Sequence, residues 1–127
     1  MPRTVFIVED TRSHAILFDN LLRARGHNVV HGEGGWETIA AIRDTRPHLV
    51  LMDIKLPMVS GLDLVKALKD DGELKGIPVI AVTAHAMEAD RVRCLAAGFD
   101  DYVAKPIDAL NFLNRVDLIL SGIDSLG

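Results

Sequence analysis

Five short apolar runs punctuate the chain: Thr4 to Val8, Asn28 to His31, Leu49 to Met52, Val79 to Val82 and Asp101 to Val103. They are rich in Val and Ile, and several lack the alternation of a half-exposed strand, as strands covered on both faces should. Between them the apolar spacing changes to a helical period over Arg12 to Arg25, Trp36 to Thr45, Gly61 to Leu68, Met87 to Ala97 and Ile107 to Leu120. Five strands alternating with five helices predict an α/β domain built on a parallel sheet.

The punctuation agrees with this register. Gly26 and Gly98 follow the last residues of their helices, where a left-handed backbone favours glycine, and Pro47 and Pro78 fall in connections just before strands. In the first helix Phe18, Leu21, Leu22 and Arg25 share a face, with Arg23 turned away. In the last, Leu110, Leu113, Val116, Leu118 and Leu120 are expected to pack inward, and Trp36 to anchor the second helix. There is no internal repeat or low-complexity tract, so residues 1–121 read as one domain and 122–127 as a short tail.

At 127 residues, 49% of them hydrophobic and 25% charged, the chain has the balance of a single globular domain and no room for a second, output domain. A net charge of −4 without a basic cluster argues against direct nucleic-acid binding. The first apolar run meets Glu9 and Asp10 too soon for a signal-peptide core or a membrane span, which predicts a cytoplasmic protein without membrane insertion. Cys94 is the only cysteine, so there is no intrachain disulfide or CxxC zinc site, and a buried free thiol is expected. His14, His27, His31 and His48 lack metal-ligand spacing and are assigned to the surface or to element ends. Gly32, Gly34 and Gly35 do not make a dinucleotide fingerprint, and no GxxxxGK stretch exists.

Chemistry concentrates at the strand ends. Glu9 and Asp10 close the run VFIVED, Asp53 closes HLVLMD, Thr83 follows VIAV, and Lys105 precedes Pro106 just after the fifth run. Parallel strands bring their carboxyl ends to one sheet edge, where open α/β folds build sites. Each residue alone has a plain explanation: an Asp that caps a loop, a β-branched strand Thr, a solvated turn Lys. Together they are chemically coherent. Two or three carboxylates supply hard oxygen ligands for Mg2+, Asp53 becomes a nucleophile that takes up a phosphoryl group as an acyl phosphate, Lys105 pairs with the phosphoryl oxygens, and Thr83 donates a hydrogen bond.

These residues resemble the receiver domain of two-component response regulators across nearly the whole chain. The matching strings are VFIVED, LVLMDIKLPMVSGLDLVKAL, IPVIAVTAHAM and AAGFDDYVAKPI. The resemblance implies a flavodoxin-like, CheY-like sheet of order 2-1-3-4-5 with helices on both faces. It makes Asp53 the phosphoacceptor, Asp10 a direct metal ligand, Glu9 an acid acting through water, and Lys55 a ligand through its backbone carbonyl. It also makes Thr83 and Tyr102 the switch pair, and gives Lys105–Pro106 a cis peptide. Lys55 and His85, two residues after the phosphoacceptor and the switch threonine, are expected to tune the lifetime of phospho-Asp53.

The implied role is a phosphorylation switch rather than an enzyme. A sensor histidine kinase or phosphotransfer protein would supply the phosphoryl group. A downstream protein would dock on the fourth helix, fifth strand and fifth helix, roughly Met87 to Leu120, with Val92 adding apolar area unless it faces the core. The sequence looks most like the DivK group of single-domain cell-cycle regulators. A relay intermediate that passes phosphoryl groups to a histidine phosphotransfer protein is a second possibility. A piece of a hybrid histidine kinase is a third, against which Met1 just before the first strand reads as a native start. A haloacid-dehalogenase-type phosphatase would need an acid two residues after Asp53, and Lys55 stands there.

Overall fold

The computed structural model describes residues 3–84 and 87–126. Its elements are β1 (Thr4–Val8), α1 (Arg12–Ala24), β2 (Asn28–Gly32), α2 (Glu37–Thr45), β3 (Leu49–Asp53), α3 (Gly61–Asp70), β4 (Val79–Thr83), α4 (Glu88–Ala97), β5 (Asp101–Ala104) and α5 (Ala109–Leu126). The strands form one sheet of order β2-β1-β3-β4-β5, and every neighbouring pair is parallel. The expected doubly covered α/β sheet is therefore the observed one.

Strand pleating sorts the apolar residues into two layers. On one face Val5, Ile7, Leu51, Ile80 and Val82 pack with Phe18 and Leu22 of α1 and Phe112 and Val116 of α5. The Phe18 and Phe112 rings meet with centroids 5.4 Å apart, a favourable aromatic separation. On the other face Phe6, Val8, Val50, Met52 and Ala81 pack with Ile42 of α2, Leu64 and Leu68 of α3, and Cys94 of α4. Both faces of β1, β3 and β4 are thus buried, which is why their sequences show no alternation.

Several local expectations need correction. Trp36 stands just before α2 and is 57% exposed, so it anchors nothing. Leu110 and Leu118 of α5 face outward; Phe112 takes an inward position instead, beside Leu113, Val116 and Leu120. Arg25 lies past the end of α1, with its guanidinium paired to the Asp117 carboxylate of α5. Residues 122–126 continue α5 where a tail was expected. Gly26 and Gly98 do take positive φ after their helices, whereas α2 ends on a left-handed Arg46 that nothing in its residue type announces.

One turn sets the depth of the sheet edge. Ser60 caps α3 by accepting a hydrogen bond from the Leu62 amide at 3.1 Å, and the Gly61 amide donates to the Ile54 carbonyl at 2.8 Å. A Cβ on Gly61 would collide with the Asp53 carbonyl oxygen and come within 2.9 Å of the Ile54 Cα. Only glycine lets α3 begin this close to the end of β3.

Candidate functional site

The carboxyl ends of β1, β3, β4 and β5 meet at one edge, as parallel pairing requires. Glu9 and Asp10 follow β1, Asp53 ends β3, Thr83 ends β4, and Lys105 follows β5. Glu9, Asp53 and Thr83 are buried, while Asp10 is exposed. Glu9, Asp10 and Asp53 each present a carboxylate oxygen, all within 4.8 Å of one another. Three acids so close repel one another unless a cation stands among them.

Lys105 supplies one positive charge. Its ammonium donates to Glu9 Oε2 at 3.1 Å and to Asp53 Oδ2 at 3.3 Å. Glu9 Oε1 accepts from the Thr11 amide at 3.1 Å, and Asp53 Oδ1 from the Lys55 amide at 3.3 Å. Burial pushes the Glu9 carboxyl above its usual range; the Thr11 amide opposes this, the Asp53 charge adds to it, and Lys105 draws it back. One ammonium against three carboxylates leaves a net negative, oxygen-rich pocket. That donor set fits a hard divalent cation such as Mg2+, with Glu9, Asp10 and Asp53 as the residues to hold it.

The other expected residues are placed as follows. The Lys55 side chain is exposed. Thr83 is 1% exposed and pairs in register with Ala104. Tyr102 pairs with Ala81, and so lies on the same sheet face as Thr83, under α4. Its ring packs against the apolar layer there, and its buried hydroxyl has no hydrogen-bond partner among the described residues. Burial raises the phenol above its ordinary range, with Cys94 and Asp90 of α4 adding to the shift. The Lys105–Pro106 peptide is cis. His85 falls outside the described residues. An open cleft of about 650 Å3 runs from Asp10 and Thr83 past Lys55 and Met58 to Arg93 and Cys94.

Two residues of this edge escaped the sequence reading. Gly61 fixes the footing of Asp53, although its position at a helix start was visible. His14, assigned to the surface or to an element end, does lie in the first turn of α1 with a partly exposed side chain, but its Nδ1 also stands 2.8 Å from the Lys105 ammonium. No spacing in the chain links residues 91 positions apart.

A family description built on response regulator receiver domains matches residues 5–117. The chain belongs to the response-regulator receiver domains. This receiver is 46% identical over 116 residues to the polar-differentiation response regulator DivK of Brucella anthropi, covering 91% of this chain and 94% of the relative. It superposes on the receiver domain of a sensor histidine kinase from Pseudomonas aeruginosa with a TM-score of 0.87 at 26% identity, covering 95% and 99% of the two chains; that structure has a magnesium ion coordinated in its active-site cleft. The Vibrio cholerae chemotaxis protein CheY4 shares the fold, with a TM-score of 0.86 at 21% identity over 94% and 99% of the chains. The receiver thus has the CheY-like fold, belongs to two-component signalling and is similar to the polar-differentiation response regulators DivK. Among the described residues no helix is long and apolar enough to cross a membrane.

Proposed function

We propose that this receiver is a phosphorylation switch whose acceptor is Asp53. The observation that carries the reading is the Lys105 ammonium held between Glu9 and Asp53 in a three-carboxylate cluster that opens onto a cleft. An Asp53 carboxylate oxygen forms the new P–O bond as the P–N bond of a phosphohistidine donor breaks, and the electron pair leaves on the imidazole nitrogen. Asp10, Asp53, the Lys55 backbone carbonyl and, through water, Glu9 would hold Mg2+, which when bound would supply charge that offsets repulsion between the carboxylate and the phosphoryl oxygens.

Lys105 moves its hydrogen bonds from the carboxylates to the phosphoryl oxygens, and the Thr83 hydroxyl donates to the same group. Tyr102 lies on the same face as Thr83 with an unsatisfied hydroxyl under α4, so a shift of Thr83 reaches the surface through the Tyr102 ring. That surface is formed by α4, β5 and α5, where Val92 and Leu95 of α4 are exposed apolar side chains. A cytoplasmic histidine kinase or phosphotransfer protein loads the switch, and a downstream protein reads this face. Lys55 and His85, two residues after Asp53 and Thr83 in the sequence, set the lifetime of the acyl phosphate, read as the autodephosphorylation rate.

The test is incubation with acetyl phosphate and Mg2+, followed by intact-mass measurement. Wild type gains the mass of one HPO3, and Asp53→Ala gains none. An adduct that forms equally in both overturns the assignment.

A further inference from the structure

An ammonium has three N–H donors and no acceptor. Lys105 spends one on Glu9 Oε2 at 3.1 Å, one on Asp53 Oδ2 at 3.3 Å, and the third on His14 Nδ1 at 2.8 Å. His14 offers the shortest of these contacts and the only uncharged acceptor. Since the ammonium donates, Nδ1 must present its lone pair, and the ring proton sits on Nε2.

The three partners differ in what happens when a phosphoryl group arrives on Asp53. Its oxygens compete for Lys105 with the two carboxylates, by charge and by position. They do not displace a neutral ring that approaches from another element. His14 sits in the first turn of α1, one helical turn before Phe18, which is 1% exposed and locked against Phe112. Residues four apart share a helix face, so the base of His14 is held by the core while its ring reaches the site. Its side chain is itself 42% exposed, and its Nδ1 lies 3.9 Å from Glu9 Oε1, beyond hydrogen-bond range. Core packing therefore does not account for its placement.

We infer that His14 is a positioning residue: a neutral pivot that keeps the Lys105 ammonium beside Asp53 while its two carboxylate bonds are exchanged for phosphoryl oxygens. The inference rests on the reading of Asp53 as phosphoacceptor and adds to it a residue that acts only through Lys105. Asparagine is the informative replacement, because its Oδ1 is as many bonds from the backbone as the histidine Nδ1 and is likewise a neutral acceptor.

The experiment compares wild type, His14→Ala and His14→Asn in acetyl phosphate labelling time courses across a Mg2+ titration, with thermal melts of each protein. In His14→Ala the labelling rate at saturating Mg2+ falls on the order of ten- to a hundredfold, up to the cost of an ångström-scale misplacement of a catalytic group. The Mg2+ concentration for half-maximal rate and the Tm stay at wild-type values, and His14→Asn recovers most of the lost rate. Wild-type labelling by His14→Ala, or an asparagine variant no faster than the alanine one, overturns the pivot while leaving Asp53 as acceptor. Absence of any adduct on wild type overturns both readings at once.

Discussion

Along β3 the surroundings change from one residue to the next. Leu49, Val50, Leu51 and Met52 are each at most 1% exposed and sit among apolar neighbours on both sheet faces. Asp53 keeps the same parallel pairing, opposite Val82, yet it meets two further carboxylates and an ammonium. In the middle of the sheet each contact supports the others and none is chemically particular. At the carboxyl edge a few charges are forced together, and burial makes Glu9 resist ionisation. The middle of the strand stabilises; its end gives up stability, and under the proposed function that is where a cation and a phosphoryl group would go.

The contrast is sharpest at Leu51. Leu51→Ala leaves a cavity inside a fully covered strand and is expected to cost about 2–5 kcal/mol, measured by urea unfolding; a cost below about 1 kcal/mol, smaller than cavity formation allows, would erase the distinction between middle and edge. Glu9→Gln should act in the opposite sense. The folded pKa of Glu9 lies above the ordinary 4.5, so above that folded value the native state carries a charge it disfavours. As pH falls through it, the native state takes up the proton before the unfolded chain does, and the penalty vanishes. In metal-free buffer Glu9→Gln should therefore raise Tm by a few degrees at neutral pH, with the gain shrinking toward pH 4.5. A lower Tm at neutral pH would mean that pairing with Lys105 outweighs burial. The smallest expected effect belongs to the pair of tuning residues: joint replacement of Lys55 and His85 by alanine should change the autodephosphorylation rate and leave Tm unmoved. An unchanged rate assigns the lifetime of phospho-Asp53 to other residues.

The same division governs what could be read from the chain. Four of the five strands run one residue beyond their apolar stretch, to Gly32, Asp53, Thr83 and Ala104, because hydrophobicity marks where a strand is covered and hydrogen bonding marks where it ends. Glu9, Asp10, Asp53, Thr83 and Lys105 were legible because parallel topology alone brings strand ends together. His14 was not, since its contact depends on how the first turn of α1 stands against the residue that follows β5. Leu110, Leu118 and Trp36 misled for a related reason: their apolar character was visible, but which side of a helix or turn meets the sheet is decided by packing.

Gly61 gives this edge a history as well as a shape. Any other residue there would push α3 off β3, since even a methyl would meet the Asp53 carbonyl oxygen. Asp53 therefore cannot drift deeper or shallower by small steps. Exposed positions such as Lys55, Val92 and Leu95 can vary around it, but relocating Asp53 itself would require rebuilding the β3–α3 turn in a single stroke.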